Sequence, residues 1–196
     1  SITGRVTRED NGQPIQGLWV YAHDWDTGNG MGSSETDSKG EYHVPGLVPG
    51  KYRVCVSTDE NQYYLTECYD DVRDYSSALA VHVTAGQPTS NIDFSLTMGG
   101  GITGLVTDAS GTPLQNIWVS AYDFGTGSWV RQAQTGADGM YLISGLAQGS
   151  YRVSAYSPDY VYTYYDDVQI QSAALPVNVA KGADTQGIDF SLEQRP

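Results

Sequence analysis

The 196-residue chain is short of positive charge: 10 Lys and Arg stand against 23 Asp and Glu, for a formal net charge of -13 at pH 7. Nucleic acid and anionic membrane surfaces both demand a cationic face, so neither is an expected partner. Long apolar runs are missing too. None approaches the roughly 20 residues of a membrane span, which argues against membrane insertion. No stretch carries a 3.6-residue apolar period of useful length, which excludes a helical domain. The sequence contains no signal-peptide pattern, and Ser1 opens directly into a strand-like segment, so the chain is expected to be a processed or trimmed piece of a longer protein. Histidine (His23, His43, His82) and cysteine (Cys55, Cys68) are scarce and confined to the first half.

What the chain has is itself, twice. Ile2-Thr3-Gly4 returns as Ile102-Thr103-Gly104, Trp19-Val20 as Trp118-Val119, Tyr52-Arg53-Val54 as Tyr151-Arg152-Val153, and Ile92-Asp93-Phe94-Ser95-Leu96 as Ile188-Asp189-Phe190-Ser191-Leu192. A period this long is a domain rather than a solenoid turn, so two domains are expected, at residues 1–98 and 101–196. Residues kept in both copies are expected to serve the fold, and those held by one copy a private purpose.

Each copy breaks into short segments of period-two alternation separated by turn residues every eight to twelve positions, the pattern of an all-β sandwich. In the first copy strands are predicted near 2–7, 18–25, 31–37, 40–45, 51–57, 79–84 and 90–96, with a short helical turn within 70–78 and again within 166–174. Alternation turns Ile2, Val6, Tyr52, Val54 and Val56 inward and Thr3, Arg5, Arg53 and Cys55 outward. Cys55 and Cys68 are read as a disulfide, with two unconnected small residues as the alternative. A loop of this length is worth roughly 3 kcal/mol when closed, and the bridge implies an oxidising compartment. The second copy has Ser154 and Tyr164 at these positions.

Gly4, the turn Asn11-Gly12-Gln13-Pro14, Gly17-Leu18-Trp19-Val20, Asp37-Ser38-Lys39-Gly40-Glu41-Tyr42 and Gly46-Leu47-Val48-Pro49-Gly50-Lys51-Tyr52 resemble the carboxypeptidase regulatory-like family, and the second copy repeats the series. The resemblance implies two tandem seven-stranded Greek-key sandwiches, transthyretin-like or Ig-like. It also implies an extracellular or cell-surface setting in a secreted protein. These motifs are turns and core positions, so they speak to fold and not to ligand. Catalytic or covalently cross-linked relatives of the fold have signatures this chain lacks. The first-strand positions for an isopeptide lysine hold Arg5 and Leu105, and the three histidines are too scattered for a metal pair. No enzyme activity is therefore expected.

Three candidate sites remain. Trp19, Tyr21, His23 and Trp25 alternate on the outer face of one strand, and Trp118, Ser120, Tyr122 and Phe124 are their counterparts. Such a stripe suits another protein surface, a neighbouring domain or an identical subunit. A polysaccharide is the alternative partner, with Trp129 a further residue to test. Tyr160, Tyr162 and Tyr164 form a second cluster, read as lateral support. Asp70-Asp71 and Asp166-Asp167 sit in loops where carboxylates could hold calcium, the alternative being a solvated turn; no other cofactor is expected. The resulting expectation is a non-catalytic stalk, spacer or fibre building block, with self-assembly through exposed strand edges as its extension.

Overall fold

The computed structural model describes residues 1–58 and 63–196, which fall into two compact units, one of residues 1–58 and 64–98 and one of residues 99–196 with Tyr63. In the first, strands β1 (Ile2–Arg8), β4 (Glu41–Val44) and β8 (Phe94–Leu96) form one sheet in the order β4-β1-β8. Strands β2 (Trp19–Asp24), β3 (Gly30–Glu35), β5 (Gly50–Ser57), β6 (Glu67–Cys68) and β7 (Val81–Val83) form the other. There the order is β3-β2-β5, with β6 and β7 sharing the free side of β5. The seven expected strands are present, and β6 is an addition of two residues. The chain changes sheet repeatedly, giving an Ig-like Greek-key sandwich.

The second unit repeats this plan. Strands β9 (Gly100–Asp108), β12 (Met140–Leu146), β16 (Asp184–Thr185) and β17 (Phe190–Leu192) make one sheet. The other is built from β10 (Trp118–Asp123), β11 (Trp129–Gln134), β13 (Gly149–Tyr156), β14 (Thr163–Tyr164) and β15 (Val177–Val179). A short helical turn lies at Tyr75–Ser77 and at Gln171–Ala173, within the segments where the sequence lacks strand character.

Each unit closes its own core from the inward-facing set. Ile2, Val6, Val20, Ala22, Tyr52, Val54, Phe94 and Leu96 in the first unit are matched by Ile102, Val106, Val119, Ala121, Tyr151, Val153, Phe190 and Leu192 in the second, all buried. Both sheets contribute to each cluster, so burying these side chains is what holds the layers together, at about 1.5–3 kcal/mol for a large aliphatic or aromatic side chain.

One motif explains why the ends of each repeat are its most faithful parts. Strand β1 pairs antiparallel with β4 and parallel with β8, placing Gly4 opposite Tyr42. Because Gly4 has no side chain, the Tyr42 ring crosses over it, and its hydroxyl donates to the Ile92 carbonyl at 2.6 Å. The next carboxylate, Asp93, accepts the Arg5 backbone N–H at 2.8 Å. The second unit does the same with Gly104, Tyr141, Ile188 and Asp189. Burial pushes both phenols up in pKa, with the nearby Asp93 or Asp189 adding to the shift, so both stay protonated donors.

Strand β2 ends at Asp24, one residue short of the predicted end, because its carboxylate accepts from the Thr27 amide (2.8 Å) and hydroxyl (2.7 Å) and starts a hairpin turn. Asp123 and Thr126 build the equivalent turn. Trp25 therefore lies in the turn rather than on the strand.

Candidate functional site

The aromatic residues singled out by alternation do lie on the face of β2 turned away from the core. Trp19, Tyr21 and His23 run along it with ring centroids 6.2 Å apart at each step, Trp19 being exposed. Trp25 does not continue the row. The Arg53 guanidinium lies 4.2 Å from its ring and 4.4 Å from that of Tyr75, and Tyr75 packs edge-on to His23 at 5.6 Å. A cation between two rings is an internal brace of roughly 0.5–2 kcal/mol. Arg152 covers Phe124 at 4.7 Å in the second unit, so the arginine-over-aromatic contact recurs there, without a ring in the helical turn Gln171–Ala173 to complete the pair. Burial, followed by the charge of Arg53, lowers the His23 pKa. Neither Arg53 nor Tyr75 is found by reading the strand alone, since Tyr75 arrives from the helical turn.

Cys55 and Cys68 are directly paired across β5 and β6 and joined in a disulfide. Cys55 points outward as alternation requires, yet it is buried, because Cys68, Ala78 and Val72 cover it in a small cluster separate from the core. With Tyr21, His23, Thr66 and Tyr75 the bridge borders an open hollow of about 370 Å³.

On the matching face of the second unit, Trp118 and Tyr156 are a cross-strand pair, as are Ser120 and Ser154, and Gln132 follows across Ser120 on β11. Ser154 and Tyr162 share a hydrogen bond of 2.7 Å, and the Tyr156 and Tyr162 rings stand 6.0 Å apart. Tyr164 packs edge-on to Tyr162 at 5.1 Å. Trp129 is exposed at the start of β11, opposite Tyr122.

The aspartate pairs occupy tight turns closed by reciprocal backbone hydrogen bonds, Cys68 with Val72 and Tyr164 with Val168. Asp71, Asp166 and Asp167 have positive φ, a conformation that Asp tolerates better than most residues. Asp167 accepts the Ser191 amide at 3.1 Å. Among the described residues no cluster of three or more His, Cys, Asp or Glu side chains is placed to share a metal ion. A calcium site at either pair would have to draw most of its oxygens from backbone and water.

A carboxylate missed by sequence reading is Glu67, 8% exposed at the sandwich edge, whose Oε1 accepts the Ser95 amide at 3.3 Å. Desolvation, with Asp71 and Glu9 adding to it against the Ser95 hydrogen bond and Arg73, pushes its pKa up to about 7. Protonated Glu67 is thus favoured by folding. Its contribution is fully present below the unfolded value near 4.5 and is lost as pH rises through about 7. Thr163 takes this place in the second unit. Glu67→Gln is expected to raise first-unit stability at pH 8 by about 1–2 kcal/mol, discounted for solvent at the edge. It should leave stability at pH 4 nearly unchanged, as thermal unfolding at both pH values would read. Equal effects at the two would mean that Glu67 does not titrate in this range.

An open polar cleft of about 520 Å³ in the first unit is lined by Arg5, Glu35, Asp37, Glu41, His43 and Asp93, among others. Asp37 spends its Oδ1 on the Lys39 and Glu41 amides, and Asp93 on Arg5. The Ser34 hydroxyl serves the backbone of Glu35 and His43. These groups are engaged in turn and strand bonds.

Comparison with known proteins places this architecture. The profile of the carboxypeptidase regulatory-like domain matches residues 1–97 and again 101–192. Colossin-A of Dictyostelium discoideum is 27% identical over 139 residues, covering 67% of this chain and 1% of that protein's length. Among solved structures, GBS52, the minor pilin of Streptococcus agalactiae, aligns over 100% of this chain and 97% of its own at 14% identity (TM-score 0.43). The shaft pilin SpaA of Lactobacillus rhamnosus GG aligns over 100% and 96% at 11% identity (TM-score 0.43). The Bacillus anthracis TIE protein aligns over 97% of this chain and 33% of its own at 15% identity (TM-score 0.40).

Proposed function

Because the chain belongs to the carboxypeptidase regulatory-like domain family over both of its repeats, we propose that it works without catalysis as a stalk, spacer or fibre building block of a secreted or cell-surface protein. The observation that carries this reading is how the repeated residues are used. Tyr42, Asp93, Asp24 and Thr36 each have a counterpart making the same bond, in Tyr141, Asp189, Asp123 and Thr135, and Gly4 and Gly104 leave the same room for a backbone carbonyl. What selection has copied is a means of closing a sandwich, and a repeated closed sandwich is suited to bearing load and setting distance. The partners of such a module are neighbouring domains or identical subunits. Strand β3, at the edge of its sheet and free of Lys and Pro, is where a second copy would add a strand.

Pulling the chain between terminal handles tests the load-bearing role. Two discrete unfolding events are expected. The first unit should release about 45 Å less contour length with the disulfide intact, since 13 residues at ~3.5 Å each stay locked behind the Cys55–Cys68 bridge. A chain that extends smoothly at low force would refute the mechanical reading, and light scattering at rising concentration reads self-assembly separately.

A further inference from the structure

We propose that the outer face of the β10–β13 sheet in the second unit is a binding site for a neutral hexopyranose residue of a polysaccharide. The spacer role does not require it. The site is a hollow of about 280 Å³ walled by Trp118, Tyr156 and Tyr162 and floored by Ser120, Ser154 and Gln132, with Tyr122 closing one side. Its depth comes from the sheet register. Ser120 and Ser154 are paired on adjacent strands, so two small side chains stand side by side while Trp118 and Tyr156, the next cross-strand pair on this face, rise beside them. Both rings are about 40% exposed.

The lining selects the chemistry. None of the seven side chains carries a formal charge, in a chain of net charge -13, which favours a neutral ligand over a cation or an anion. Two exposed aromatic faces offer area to the C–H face of a sugar ring at low entropic cost. Around them stand the hydroxyls of Ser120, Ser154, Tyr122 and Tyr162 and the amide of Gln132, which can donate and accept toward sugar hydroxyls. Ser154 and Tyr162 already bond each other, so these two hydroxyls are pre-oriented. The volume sits at the small end of ligand pockets, the scale of one ring rather than of a peptide.

The first unit lacks this constellation. At the positions of Ser154, Tyr156 and Tyr162 it has Cys55, Ser57 and Thr66, and its hollow is bordered by the disulfide. The two faces thus share a framework and differ in the residues that would grip a ring.

Affinity electrophoresis of the complete chain through gels containing a neutral glucan, mannan, galactan or xylan tests the proposal. At least one is expected to retard the chain. Retardation should fall at least tenfold in Trp118→Ala and in Tyr156→Ser/Tyr162→Thr, which installs the first unit's residues. It should survive in Trp118→Phe and Trp19→Ala. Unchanged thermal unfolding of the variants separates lost binding from lost fold. The proposal is overturned if none of the four polymers retards the chain, if only an anionic polysaccharide does, or if Trp19→Ala abolishes binding as fully as Trp118→Ala.

Discussion

Gly4→Ala is expected to destabilise the first unit by about 3 kcal/mol, the upper end of what overpacking costs, and Gly104→Ala to do the same to the second. An alanine Cβ at Gly4 would fall on the Ile92 carbonyl, well inside contact distance, and against the Tyr42 ring at 3.0 Å. The Ile92 oxygen is backbone, so no rotamer change relieves the clash. Moving β8 away from β1 breaks the parallel pairing at Val6 and Phe94, and moving Tyr42 breaks its hydrogen bond. At Gly104 the obstacle is the Ile188 carbonyl, with Asp189 beside it. For domains of this size the loss corresponds to a fall in midpoint of about 12–24 °C. Gly12→Ala is the control: its φ is positive but nothing lies within 4 Å, so it should cost about 1 kcal/mol from backbone strain alone. Calorimetry on the three variants reads all of this. A Gly4→Ala loss no larger than that of Gly12→Ala would mean that β1 and β8 part without cost.

Reduction of the Cys55–Cys68 bridge should cost the first unit about 3 kcal/mol and leave the second untouched. The loop-closure estimate for 13 residues gives this magnitude. The structure adds where the loss would appear. Strand β6 is two residues long and is held on β5 at Cys55 and Val56 only, so the bridge staples an element with little pairing of its own. The second unit keeps the equivalent strand and turn with Ser154 and Tyr164 in these places, which makes it an internal reference within one sample. Scanning calorimetry with and without a phosphine reductant is the measurement. The expected result is one transition shifted down and one unmoved; equal shifts in both would show that the reductant acts elsewhere.

The two effects differ in how far the sequence foreshadowed them. Cys55 and Cys68 announce themselves by scarcity and by an interval that a short loop can close. Gly4 announces only that it recurs. Its reason, a tyrosine ring passing over it to reach a carbonyl 88 positions further along the chain, exists only once β1 lies between β4 and β8. The aromatic stripe divides in the same way. Alternation was sufficient to put Trp19, Tyr21 and His23 on one outer face. It carried Trp25 one residue too far, because the Asp24 side chain turns the chain before the strand can continue. Glu67 gave no signal at all, since a lone glutamate in a loop reads as solvated until a two-residue strand tucks it against the edge of β8.

Duplication, strand periodicity and the inward or outward sense of each side chain depend on neighbours along the chain, and the amino-acid order alone carried them. It yielded the all-β class, the repeated sandwich and most of each core. Which outward residues form a hollow, which carboxylate is buried and which glycine cannot be replaced depend on strands far apart in sequence coming into register. Tertiary structure placed an uncharged aromatic hollow at Trp118, Tyr156 and Tyr162, where a pair of serines from adjacent strands stands in the positions that Tyr21 and the disulfide-bonded Cys55 hold in the first unit.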